Sequence, residues 1–391
     1  ASRMKSTNYI TLFITLIVFT SCFEVPDNNY RSPLDVPQSF DWKTIEGRKV
    51  VITQFSSVFD ENGDSVASLL PAGEYKLFVG KSTSLNIVPE PVPQSTISTK
   101  AGGGSIKNRV YFPAVGKYAT VMFEDLFPSK GDMDMNDIVF GLNMQYDLDN
   151  QGRVSVIHFK IQPRCVGSSY DKIGLAVNFT GKPVEVKKVT RTDNVSKLSN
   201  FFNVDIKNGW HSPELNNTKS VVVPLTGDFR SYFEYSPELF FNVRNIDPPL
   251  ATTTFTVSIE LNSNSYPYSD FSFLDSVTTE KICLDVFAVF GKREKEVHFK
   301  GQLATERFNT SYFQYTLPKR DFTTIDNWVW AIISDKSLRH PLEQKKIYNA
   351  YPNFKTWAEV WSRSGDNTRS DWYNPKIIDS LYTRINFNYY N

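Results

Sequence analysis

The sequence predicts a mainly β protein, in which a small N-terminal β-sandwich-like domain precedes a large antiparallel β-sandwich-like domain with a few C-terminal helices. Three observations predict this. The 391 residues include 30 Phe and 19 Tyr, residues favoured on pleated surfaces. Period-two alternation recurs: Phe255, Val257, Ile259 and Leu261 alternate with Thr256, Ser258 and Glu260, the mark of a half-buried strand. Helical spacing is strongest in the tail, where Trp357, Val360 and Trp361 fall at i, i+3 and i+4. The length itself favours about two domains.

At the N-terminus, Ala1-Ser2-Arg3 reads as a vector-derived remnant or an upstream start, and Met4 as the natural start. Lys5 supplies a positive n-region, Tyr9 to Phe19 an apolar h-region, and Phe19-Thr20-Ser21-Cys22 a lipobox-like cleavage site. Residues 1–21 are therefore expected to be a signal peptide and Cys22 the lipidated residue. A transmembrane anchor would need about 20 apolar residues, and this run is shorter and broken by threonines. Several acyl chains on Cys22 would hold the chain to a bilayer, at about 0.8 kcal/mol per buried methylene. Residues 22–37, rich in Asn, Asp and Pro, predict a lipidated tether.

Ordered structure is expected from Phe40-Asp41-Trp42 onward. Lys49 to Thr53 predicts a strand, Asp60-Glu61-Asn62-Gly63-Asp64 a turn, and Pro71 to Val79 a turn leading into a second strand. Together they outline a small β domain over 38–92. Pro89-Glu90-Pro91-Val92-Pro93 and Ala101-Gly102-Gly103-Gly104-Ser105 then place a linker over 93–107. In the large domain, 108–391, strands are expected at 118–123, 138–146, 154–161, 184–189, 220–223, 255–261 and 282–290. Ile138, Phe140, Leu142, Met144 and Tyr146 share one face. Helix is expected over 343–350 and 354–361, with Gly365 as a stop signal.

Lys+Arg 43 against Asp+Glu 42 leaves almost no net charge and no basic run. Nucleic acid is not indicated as a partner, nor a polybasic membrane patch. Besides Cys22 there are two cysteines, Cys165 and Cys283. They could pair in an oxidising compartment, or lie as buried thiols in separate strands.

The densest chemistry lies between two apolar strands, in Gly131-Asp132-Met133-Asp134-Met135-Asn136-Asp137. Asp132, Asp134 and Asn136 can direct oxygens to one point if the loop curls, with Glu124 or Asp125 from the preceding strand end completing the set. Calcium takes six to eight such oxygens, whereas magnesium retains more water. Asp132, Asp134 and Asn136 match the opening of an EF-hand loop, but Asp137 stands where glycine is required and Asn143 where glutamate is required. A strand follows, not a helix, so an EF-hand is excluded. The competing reading is a set of Asx turns, with Asp137 capping backbone amides.

Enzyme signals are weak. Gly80-Lys81-Ser82 lacks the upstream glycine of a phosphate loop, because Tyr75 occupies that position. His158, His211, His298 and His340 are dispersed and form no zinc pattern. Trp328, Trp330 and Trp372 could stack on sugars if exposed, or pack in the core.

The acidic loop with its flanks, Phe123 to Phe140, resembles the signature of the LruC-domain lipoproteins, found chiefly in Bacteroidota and some spirochaetes. Phe159 to Phe179, Thr310-Ser311-Tyr312-Phe313, Asn327 to Ile332, Pro341-Leu342-Glu343, Phe354 to Trp361 and Asp371-Trp372-Tyr373 continue the resemblance in order, over roughly residues 108 to 385. Phe40-Asp41-Trp42-Lys43-Thr44 is similar to the short β module that often precedes that domain. The resemblance implies an outer-membrane, surface-exposed lipoprotein of uncharacterised function, with no catalytic residues to carry over. The expectation is a non-enzymatic lipoprotein anchored in the outer membrane, with a binding or assembly role in an envelope protein complex and structural calcium at the acidic loop. The alternatives are a glycan-binding or glycan-processing accessory of a nutrient-uptake complex, and a subunit of a surface fibre.

Overall fold

The computed structural model describes residues 33–91, 108–129, 131–262, 265–315, 321–364 and 369–389. The signal segment, Cys22, most of the tether, the 93–107 linker and Gly365 lie outside the described residues.

In chain order the first strands are β1 (Ile45–Ile52), β2 (Ser56–Phe59), β3 (Ser65–Leu70), β4 (Gly73–Gly80), β5 (Asn86–Pro89), β6 (Asn108–Phe112) and β7 (Ala119–Phe123). Then come β8 (Ile138–Leu148), β9 (Val154–Cys165), β10 (Ile173–Gly181), β11 (Val186–Arg191), β12 (Ile206–Lys207), β13 (Trp210–His211) and β14 (Val221–Pro224). The last are β15 (Phe255–Leu261), β16 (Phe271–Phe273), β17 (Ile282–Phe290), β18 (Glu296–Val297) and β19 (Ala331–Ser334), followed by helices α1 (Ile347–Ala350) and α2 (Asn353–Glu359). The fold is thus mainly β with short helices at its end, as the alternation predicts. None of the described helices is long and apolar enough to cross a membrane.

Among the described residues, the largest sheet runs β12-β13-β11-β15-β9-β8-β6-β3-β2-β5, with β7 paired to β8 and β19 to β7. A second sheet runs β14-β10-β17-β16, with β18 on β17, and β1 pairs with β4. All pairings between these strands are antiparallel except β16 with β17. The main core lies between the two large sheets. Ile138, Phe140, Leu142, Met144 and Tyr146 enter it from β8; Leu175 and Val177 enter from β10, and Leu284, Val286 and Ala288 from β17. The opposite face of β8 turns Val139 into a second core with Met133, Met135, Trp328, Phe354 and Trp357. Period-two patterning therefore assigns one strand to two cores.

Residues 38–92 and the chain from 108 onward share one sheet. β3 pairs with β6 through Ala67↔Val110 and Ser68↔Arg109, and Ile45, Val58 and Leu77 belong to the same core cluster as Phe140. The helix expected from 343 begins instead at Ile347. The Leu342 and Glu343 amides donate to Ser380 O and Val243 O, and Gln344 sits at φ 62, so this backbone is committed elsewhere. Cys165 and Cys283 are buried free thiols on β9 and β17, which removes the disulfide alternative. Trp328, Trp330 and Trp372 are all buried. They pack against Trp42, Phe127 and Phe354 at centroid distances of 5.2, 4.8 and 5.0 Å and offer no face to a sugar.

Candidate metal centre

The acidic loop joins β7 to β8, which are paired from Phe123↔Ile138 to Ala119↔Leu142. Strand pairing brings the loop's two ends together, so Glu124 at one end can meet residues near the other. The alternation of the loop does the rest. Met133 and Met135 are fully buried in the second core and hold φ 66 and 57, a left-handed conformation unusual for such side chains. Their burial anchors the loop and leaves Asp132 and Asp134 facing Glu124.

One group of acidic ligands converges among the described residues: oxygens of Glu124, Asp132 and Asp134 all lie within 4.8 Å of one another. Glu124 is completely buried. Its Oε1 accepts the Met135 amide at 2.7 Å, while its Oε2 is buried with no hydrogen-bond partner. A Cβ at Gly131, where φ is +74, would stand 2.7 Å from that oxygen, so glycine is required there. Asp134 accepts the Gln344 amide at 2.8 Å and the Asn136 amide at 3.3 Å. Asp132 stands at the exposed rim.

The electrostatics are adverse without a cation. Burial pushes the Glu124 carboxyl well above the usual range, and Asp134 and Asp132 push it further. Burial, then Asp132, raises Asp134 to about 8. Carboxylates crowded in a low-dielectric site must take up protons or bind a cation. Oxygen-only ligands with one exposed member suit a hard divalent ion that retains some water.

The other expected ligands are placed differently. Asp137 Oδ2 accepts the Asp125 amide at 2.7 Å, and Asp125 Oδ2 accepts the Ser168 hydroxyl at 2.6 Å. Lys295 interacts with both Asp125 and Asp137, and burial lowers its pKa to about 8. Asp137 thus performs the amide-capping role, beside the ligand cluster. Asn136 donates from Nδ2 to Pro341 O at 3.2 Å. Its Oδ1 is buried against Gly167, where a Cβ would stand 2.2 Å away. Glu343 was not anticipated. It is half-buried with an unpartnered Oε2, and burial, then Asp132, raises its pKa. Only its place in the Pro341-Leu342-Glu343 element signals it in the sequence.

A family model described as a domain of unknown function, DUF4842, matches residues 152–373, more than half of the 391-residue chain. The chain belongs to the DUF4842 family. The DUF4842 match begins beyond the acidic loop and includes Glu343, so Glu124, Asp132 and Asp134 lie outside it. The structure is similar to the crystal structure of a presumed lipoprotein from Bacteroides ovatus, with a TM-score of 0.50 and 15% identity. The similarity covers 88% of this DUF4842 chain and 94% of that one. At that identity the likeness concerns the fold. No curated protein matches the chain.

Proposed function

We propose that this DUF4842 protein is a non-enzymatic lipoprotein of the outer membrane, anchored through Cys22 and surface-exposed, whose β body is stabilised by calcium at the acidic loop. The lipobox-like Phe19-Thr20-Ser21-Cys22 and the ordered motifs similar to LruC-domain lipoproteins support the anchor and the narrower family reading. The likeness to the Bacteroides ovatus protein is consistent with both. The observation that carries the calcium reading is the buried, unpartnered Glu124 Oε2 beside Asp132 and Asp134. An unpaired carboxylate oxygen in the interior is costly unless a cation or proton accompanies it.

The function that follows is binding or assembly at the envelope, with the ion holding the loop against the C-terminal helices. Two backbone links support that coupling: Ile347 N donates to Met133 O at 2.8 Å, and Gln344 N to Asp134 at 2.8 Å. Calcium at about 100 times its dissociation constant stabilises the folded state by about 2.7 kcal/mol. With an unfolding entropy of about 2.1 cal/mol/K per residue, this corresponds to a rise in melting temperature of about 3 °C. Calorimetry in EDTA and in calcium measures it. An unchanged melting temperature would refute the calcium reading, and absence of acyl label on Cys22 after expression with a clickable fatty acid would refute the anchor.

A further inference from the structure

A cleft of about 510 Å³ opens on the side of the molecule where residues 39–47, β4, the end of β16 and helix α2 meet. It contains none of the acidic-loop residues. Its volume lies in the range of small-molecule sites, roughly 300 to 1,000 Å³.

The charges around it do not balance pairwise. Lys81 pairs with Asp41 at 3.0 Å, Lys76 with Asp275, and Glu46 with Arg48 at 2.5 Å. Every acid of the lining is thereby engaged. Two cations are left over. The Lys43 ammonium donates to the Leu274 carbonyl and has no carboxylate within ion-pair distance. The Arg369 guanidinium lies flat over the Trp361 ring at 3.8 Å, and among the described residues it has no acidic partner. The remaining walls are mixed. Ser39 and Ser362 supply hydroxyls, while Phe40, Trp357 and Trp361 form an aromatic side.

Two unpaired cations call for an anion, and hydroxyls facing an aromatic wall suit a compact polyhydroxylated body with one apolar face. We infer that this cleft binds a sugar-sized hydroxylated carboxylate, with the carboxylate held between Lys43 and Arg369 and the hydroxylated body against the Trp361 side. Burial pushes the Lys43 ammonium below its usual value, against the pull of Asp41 and Asp275, and a bound carboxylate would favour its charged form. The inference is independent of calcium and of the lipid anchor, because it uses none of their residues.

Isothermal titration of the full chain with D-glucuronate, D-galacturonate and D-gluconate tests it, with D-glucose as the uncharged control and sulfate as the bare anion. At least one sugar acid is expected to bind, glucose not to bind, and Arg369→Gln and Lys43→Met each to weaken binding by about tenfold, the scale of one charge-assisted hydrogen bond. Arg369 is exposed, so its substitution carries the test even if the Lys43 variant fails to fold. No binding of any sugar acid at about 10 mM, a level corresponding to negligible affinity, overturns the inference. So does binding that is insensitive to Arg369→Gln, or sulfate binding as tightly as the sugar acids.

Discussion

His298 gives the sharpest prediction about stability. The ring is completely buried between two carboxylates. Nδ1 lies 2.5 Å from Asp285 Oδ2, and Nε2 lies 2.8 Å from Glu296 Oε2. An ionised carboxylate only accepts, so both ring nitrogens must donate and the ring is an imidazolium. Its plane stacks on Phe287 at 4.5 Å, a contact that favours the cation. Burial alone would lower its pKa, but the attraction of Asp285 and Glu296 outweighs burial and raises it to about 9. Burial also pushes Glu296 upward, yet His298, Arg293 and Thr305 hold it below the usual range. Asp285, whose Oδ1 is buried without a partner, stays above it.

The folded pKa is raised above the unfolded value of about 6.5, so the imidazolium contributes its full stability below pH 6.5 and loses it as the pH rises toward 9. At about 1.4 kcal/mol per pKa unit, the contribution is of order 3 kcal/mol. His298→Gln removes the charge and can donate to only one carboxylate. The variant is expected to lose about 3 to 5 kcal/mol near pH 6, the scale for leaving a buried charge unpaired. The difference from the parent should shrink between pH 6.5 and 9. Urea unfolding of both proteins at pH 6, 7.5 and 9 measures this, because other titrating groups cancel in the comparison. A parent–variant difference that stays constant across that range would refute the buried imidazolium.

Gly167→Ala should destabilise by about 1 to 3 kcal/mol, because the new methyl would overlap Asn136 Oδ1 in a packed interior; the urea midpoint reads it directly. Cys165 and Cys283 are buried, with Cys165 donating to Asn136 O, so a thiol reagent should label neither in the native state and both in urea. Rapid native labelling of either would contradict their placement. Glu124→Gln should leave the protein in EDTA as stable as the parent or more so, since it removes repulsion from Asp134 and Asp132. The same substitution should abolish any stabilisation by calcium, and melting curves in the two conditions separate these effects.

Local pattern made much of the fold legible. Phe255–Leu261 and Ile282–Phe290 fold as strands with the bounds their alternation predicts, because each buries one or both faces over its whole length. The pairing of Ala67 with Val110 was not legible. Sheet pairing across a Pro- and Gly-rich stretch leaves no mark in either strand alone. Helix was over-read at Glu343 for a related reason: distant carbonyls of Val243 and Ser380 claim the amides that a helix would use. At the site, Glu124, Asp132 and Asp134 could be found because the β7–β8 turn brings near neighbours together. Asn136 and Asp137 share the same acidic run, yet Gly167, Pro341 and Asp125 engage them. Glu343 and Lys295 approach the loop from more than 150 residues away in sequence, a relation that only tertiary structure reveals.

Calcium titration by calorimetry into the EDTA-stripped, dialysed chain tests the central claim most directly. One ion per chain should bind to the parent, and binding should be lost in Asp134→Asn and Glu124→Gln. Absence of binding heat in the parent, or undiminished binding in both variants, would contradict a cation site at this loop.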